Sequence, residues 1–506
     1  TLIMNLKVKA QRIYKGFFIY KMNDNIKPFF NEDQNGKISL NNFAFKKFLE
    51  ANNFFKNKPN ENSSFNLIKR DSIFLKIKDE FDIKDFVLDY VENNLQSEKA
   101  YNLITSRTSV FKRDFLSMIK TEEIDVLKDK KDTSYLYYKN GVMEITKDKA
   151  ILKKYSDYGV YIWEDQVIDR DYIEADHHDS EYRTFIWKIS GGFDLPDNPT
   201  SEESANYKTS VERYDSFKSV IGYLLHSYNV GGDNKAIILN DEAISEDPNG
   251  RSGKGLFWNA LKYLKKVQSL NGKSFNFNDQ FPYQSVKTDC QVLVWDDVKK
   301  NFDFEQLFSV ITEGIEITYK GKDTIKLPIE DSPKILITTN YTIKGKGGSH
   351  DARRFELELS GFFSDKYTPI DFFGHKLFDN WNNDEWARFD TFMIECLKKY
   401  LTNGLIPYTP ISLPLKKLQV EISIEVYRAI TEVQFNEWVN YNEFYDNYAS
   451  TVRKFSERTK TFVTQSLKKY CEFNGLDYEQ VSTNSIKKFM IKSRIWKNYQ
   501  NQQKKK

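Results

Sequence analysis

Three runs of strand length, Lys235 to Leu239 (KAIIL), Gln291 to Trp295 (QVLVW) and Lys334 to Thr338 (KILIT), are apolar at consecutive rather than alternate positions. A strand of that kind has no polar face to give to water and needs cover on both sides. Such strands belong to parallel sheets flanked by helices. The first run leads into a loop bearing Gly250 and Gly253 and then a helical pattern from about Leu256, and a helical stretch (SFKSVIGYLLHSY) precedes it. The expected fold over about 215–405 is therefore α/β.

At 506 residues the chain needs two to four cores. Residues 1–130 mix helical patterns (FAFKKFLEAN, IKDFVLDYVENN) with short alternating runs and read as an α+β region, with an oligomerisation collar, a DNA-binding domain or a partner dock as its role and the collar favoured. Residues 131–214 read as strand-rich, because YLYYKNGVMEI carries an Asn-Gly pair between apolar runs, a hairpin signal. Pro407, Pro410 and Pro414 mark an expected linker over 406–434. Residues 435–506 read as a small, mostly helical, winged-helix-like domain. Between Thr451 and Lys506 there are 14 Lys and Arg against four acids, so this end faces nucleic acid more readily than the rest of the chain.

Aromatic residues at 15% and charged residues at 29% exclude a disordered chain. Three distant cysteines support neither a disulfide framework nor a zinc ribbon, and a reducing cytoplasm is the expected compartment. The apolar runs fall far short of the roughly 20 residues that span a bilayer, and the opening TLIMNLKVKAQR lacks the pattern of a secretory leader.

The chemistry concentrates around the three strands. Asn249, Gly250, Arg251, Ser252, Gly253, Lys254 and Gly255 form a strand-to-helix loop of the kind that cradles phosphates: backbone amides close round the oxygens, and Lys254 reaches the outer phosphates. Pro248 stands where a first glycine is usual, and Gly255 replaces the hydroxyl that normally helps to hold magnesium. Asp296 and Asp297 end the second strand, where one acid suits Mg2+ and the other an attacking water. Asn340 ends the third strand and is expected to sense the γ-phosphate. Lys320 and Lys322 fall at a Lys-Gly turn within EGIEITYKGKDTIKL and make a candidate DNA clamp. Arg353 and Arg354 follow a glycine-rich loop, and one of them is a candidate arginine finger.

Taken in order, phosphate loop, paired acids, lysine hairpin, strand-end asparagine and arginine pair resemble superfamily 3 helicases, a branch of the AAA+ ATPases. NGRSGKGLF, WDDVKKNFDFEQLFSVITEG and PKILITTNY look closest to the helicase part of phage and poxvirus-type primase-helicases. The resemblance covers about 215–405 and reaches more weakly to 135. It implies ATP and Mg2+ as cofactors, a hexameric homo-oligomer, single-stranded and replication-fork DNA as partners, and 3′ to 5′ unwinding during replication of a phage or mobile element. Two rivals share the ATP chemistry: an AAA+ protein-remodelling machine, and an initiator that uses ATP only to assemble. No carboxylate triad near a histidine in the first 200 residues suggests a primase site, so a primase is expected either upstream in the same protein or as a separate partner, alongside other replication proteins.

Two further patterns carry less weight. Asn31, Asp33, Asn35 and Gly36 occupy calcium-loop positions, but Asn42 stands where a bidentate glutamate belongs, which favours a tight turn. His177 and His178 adjoin in a polar loop and are expected to be solvated.

Overall fold

The computed structural model describes residues 29–58, 65–242, 251–320, 324–345, 347–452, 455–483 and 486–493. The chain divides into two compact units, 1–127 with 155–167, and 128–154 with 168–506. Residues 155–167, assigned from sequence to the strand-rich stretch, thus return to the first unit.

In the first unit a two-stranded hairpin, β1 (Phe30–Glu32) and β2 (Ile38–Leu40), is followed by helix α1 (Asn42–Ala51). The calcium-like sequence is the hairpin turn: the Asp33 carboxylate accepts the backbone N–H groups of Asn35 and Lys37, both at 2.9 Å. Strands β3 (Phe54–Asn57), β4 (Asn66–Asp71) and β5 (Phe74–Lys78) form an antiparallel sheet, and the two residues Ile162–Trp163 pair in parallel with its edge. Helix α2 (Glu80–Tyr90) starts at a capping box in which Asp79 and Asp82 satisfy each other's backbone N–H. Phe45, Phe48, Phe54 and Val87 fill the core.

The second unit begins with an antiparallel sheet, β6 (Ser134–Tyr138), β7 (Gly141–Ile145) and β8 (Ala150–Lys153), so the Asn-Gly signal does mark a hairpin. Helix α3 (Glu181–Ile189) and the 25-residue helix α4 (Ser201–Leu225) follow. A five-stranded, wholly parallel sheet then forms from β9 (Ala236–Asp241), β10 (Val267–Asn271), β11 (Val292–Val298), β14 (Lys334–Thr339) and β15 (Arg354–Leu359), in the order β10-β11-β14-β9-β15. A hairpin, β12 (Gly314–Ile317) with β13 (Ile325–Pro328), lies between β11 and β14 in sequence.

Both faces of the parallel sheet are buried, as the uninterrupted apolar runs require. Ile237, Leu239, Val294 and Leu336 pack with Ile186, Phe217, Leu224 and residues of helix α5 (Asn383–Asn403). Their neighbours Ile238, Leu293, Trp295 and Ile337 pack on the other side with Leu307, Ile311 and the hairpin residues Ile315 and Ile317. Helices α4 and α5 approach closely at Gly222, where an added Cβ would lie 2.1 Å from the Cys396 carbonyl oxygen.

The expected linker over 406–434 is largely helical: α6 (Leu413–Ile422) and α7 (Ile424–Thr431) fall within it. Pro414 sits in the first turn of α6, where its missing N–H costs nothing. These helices share a core with α8 (Tyr441–Thr451), α9 (Lys460–Phe473) and a three-stranded sheet of β16 (Val439–Asn440), β17 (Asp477–Thr483) and β18 (Ile486–Lys492). Among the described residues no helix is long and apolar enough to cross a membrane.

Candidate functional site

Lys254 sits at the carboxyl ends of two adjacent strands, β9 and β14. Its helix begins at Lys254 itself, two residues before the expected start, and is short (Lys254–Asn259). Lys254 Nζ lies 2.5 Å from Asp241 Oδ2, 2.6 Å from Asn340 Oδ1 and 3.3 Å from Ser252 Oγ. Sequence separates Lys254 and Asn340 by 86 residues, and the direct pairing of β9 with β14 brings them together. Gly253 has a left-handed φ of 103°, and its missing side chain lets the loop lie against Phe185 and Ile189 of α3. Arg251 is also left-handed, at φ 80°. Asn249 and Gly250 lie outside the described residues. At Gly255 an added Cβ would meet nothing within 4 Å, so no steric demand accounts for that glycine.

Asp296 and Asp297 are half-buried at the end of β11 and are linked through one hydroxyl. Thr338 Oγ1 donates to Asp296 Oδ1 at 2.8 Å and accepts the Asp297 N–H at 2.7 Å. The register of β11 against β14 shifts between Trp295 and Val298, and Asp297 takes a left-handed φ of 58° there. A register shift of this kind re-aims the side chains beside it. Asp297 Oδ2 pairs with the exposed Lys273 at 2.6 Å, and the carboxylate holds that ammonium above the ordinary lysine pKa.

Sequence reasoning passed over Asp241, Lys273, Thr338 and Lys416. Lys416, on α6, donates to the Asp241 carbonyl oxygen and is near enough to Lys254 for their charges to repel. Burial is the largest influence on it and draws its pKa below the usual lysine value. The Asp241 carboxylate was visible as the end of the first strand. Lys416 carried no local signal, because its place depends on how α6 packs back on the sheet.

Lys320 is exposed at the tip of the β12–β13 hairpin, beyond the last register pair Ile317 and Ile325. Tyr319 anchors that tip by donating to the Val286 carbonyl at 2.8 Å. Lys322 lies outside the described residues. Arg353 ends a short helix (Gly348–Arg353), half-buried, with its guanidinium 4.7 Å from the Phe308 ring. Arg354 is 8% exposed and bonds to the Gly345 carbonyl and to Asp351, both at 3.2 Å. In the parallel register Arg354 stands opposite Ala236, whereas Leu359 stands opposite Asp241. Five residues of strand, about 17 Å, therefore separate the arginine pair from the phosphate-loop end of the same sheet.

No protein-family model matches the chain, and no curated protein matches it. Among solved structures, the A form apo structure of the NrS-1 C-terminal region (residues 305–718) is similar, with 11% sequence identity and a TM-score of 0.30, covering 71% of this chain and 96% of that one. A likeness at that level does not bear on activity.

Proposed function

We propose that the chain is an ATP-hydrolysing motor of the AAA+ superfamily 3 type that moves on DNA as a ring of identical subunits. The observation that carries this reading is the meeting of Lys254 with Asn340 and Asp241 at the carboxyl ends of neighbouring parallel strands, with the paired acids one strand further on. Ligands of open α/β sheets bind at that edge. The sheet order, with the phosphate-loop strand between the asparagine strand and β15, is the order expected of an AAA+ core.

The residues suit ATP and Mg2+. Lys254 stands beside Asp241 and Asn340, and the buried Asp241 Oδ1 and Asn240 Nδ2 have no hydrogen-bond partner among the described residues. Bound there, ATP with Mg2+ would supply the cleavable phosphoanhydride and neutralise its charge. In this reading Lys254 exchanges the Asp241 carboxylate for the outer phosphates. Thr338 fixes one oxygen of Asp296 and leaves the other for Mg2+ or its water shell. Asp297 orients or deprotonates the attacking water, and Asn340 holds that water near the γ-phosphate. Because its own sheet separates Arg353 from Lys254, Arg353 is assigned to a neighbouring subunit's site. The exposed Lys320, with Lys322, is assigned to a single strand of DNA, as is the lysine-bearing surface of α9 and β18, which includes Lys460, Lys468 and Lys488.

Gly255 supports a second reading, an initiator that binds ATP to assemble but hydrolyses it slowly. Measuring ATP turnover with and without single-stranded DNA, alongside Lys254→Ala and with assembly followed by sizing, separates the two. DNA-stimulated turnover lost in the variant is the expected result. ATP-dependent assembly without turnover would replace the motor with the initiator.

A further inference from the structure

A cavity of about 410 Å3 opens between α4, α5 and the segment leading into α3, away from the phosphate loop. Five of its lining residues are Lys147, Arg183, Lys218, Lys398 and Lys399, against a single acid, Glu395. Asp215 ties Lys218 at 3.2 Å and Lys399 at 2.9 Å, and Glu395 ties Lys398 at 3.1 Å. Counting Asp215 and the flanking Asp176 as well, five cations still face three carboxylates. His177 and His178 complete one wall with their rings stacked at 4.7 Å, and Phe392 and Tyr214 give the cavity an aromatic side.

Asp176, His177 and His178 offer ligand atoms within 4.8 Å of one another, a spacing that would hold a metal ion. The excess of fixed positive charge around them opposes a cation and favours an anion. Ligand sites of roughly 300–1,000 Å3 are the size that takes a nucleotide. Lysines and an arginine suit phosphate oxygens, while stacked imidazoles and a tyrosine suit a flat base.

We propose that this cavity is a second anion site that takes a nucleotide-sized phosphate ligand, either a free nucleotide or one unit of a DNA strand. It is connected to the phosphate loop through α3. Arg183 faces the cavity, while on the adjoining side of the same helix Phe185 and Ile189 support Gly253 and the Tyr182 hydroxyl donates to the Phe257 carbonyl at 3.0 Å.

The test uses the full chain carrying Lys254→Ala, so that the phosphate loop does not contribute and the result is independent of the ATPase reading. Limited acetylation read by mass spectrometry reports Lys147, Lys398 and Lys399 directly, with inorganic triphosphate and a short oligothymidylate as separate probes. Protection of these lysines by triphosphate assigns a free nucleotide, and protection by the oligonucleotide alone assigns a strand. Adding Lys147→Gln and Arg183→Gln is expected to weaken the protecting probe about tenfold. Protection by neither probe, or undiminished affinity in the substituted chain, would overturn the proposal. Should the substituted chain fail to fold, the footprint on the Lys254→Ala chain decides alone.

Discussion

Gly253 and Gly255 sit two residues apart in one loop, and their surroundings differ. A Cβ at 253 would land 2.8 Å from Phe185 Cζ on a backbone already at φ 103°, whereas position 255 is open. Gly253→Ala should cost about 1–3 kcal/mol, read as a lower denaturation midpoint at unchanged slope. Gly255→Ser should leave that midpoint alone. If the motor reading holds, its hydroxyl would add to the magnesium shell and raise ATP turnover; unaltered turnover would mean that Asp296 already suffices. The positions of the loop and of the strand ends that carry Asp296, Asp297 and Asn340 were legible from the apolar runs before them and from the glycine that a tight turn needs. Thr338 was not, since a threonine within a buried strand is ordinarily only a good strand former. Its bridging role exists only because β11 and β14 are neighbours.

Along the opposite, amino-terminal edge of the sheet, the elements are joined by buried charge. Asp129 accepts from Ser134 Oγ, from the Tyr135 N–H and from the Ser227 N–H, tying the β6–β8 sheet to the end of α4. Lys334, first residue of β14, donates to the Tyr228 carbonyl at 3.0 Å, and burial brings its pKa down to about 7. Below that pH the amine is charged in folded and unfolded chains alike. Between about 7 and the ordinary 10.5 only the unfolded chain keeps the proton, so this group makes stability rise with pH across that window. Denaturant midpoints measured from pH 7 to 9 should climb in the natural chain and climb less in Lys334→Met; parallel slopes would show that the amine does not titrate on folding. The three apolar runs announced the parallel sheet on sight, but other elements were hidden. Helix α4 begins 15 residues before its apolar stretch at Ser216, and the Thr200–Glu203 capping box was the signal that would have found its start. Reading Pro414 as a breaker concealed α6, although proline is compatible with a first helical turn.

At the scale of the whole molecule, the register of the sheet bears on oligomerisation. Arg354 stands opposite Ala236, five residues from the phosphate-loop end of β9, and is held by Gly345 and Asp351 of its own loop. Arg353 is the more exposed of the pair. In the proposed ring a finger placed there would serve ATP chemistry only across a subunit boundary, and this makes a prediction that no single chain satisfies. Arg353→Ala should bind ATP and lose turnover, and Lys254→Ala should lose both. Mixed in equal amounts and allowed to reassemble, the two inactive chains should regain activity, because an Arg353→Ala subunit keeps its own phosphate loop and borrows Arg353 from a Lys254→Ala neighbour. With random placement and independent sites about a quarter of the junctions are productive, so turnover should recover to about that fraction of the natural rate. Co-purification of the untagged Lys254→Ala chain with an affinity-tagged Arg353→Ala chain verifies exchange of subunits. Exchange without recovered turnover would remove Arg353 from the neighbour's site.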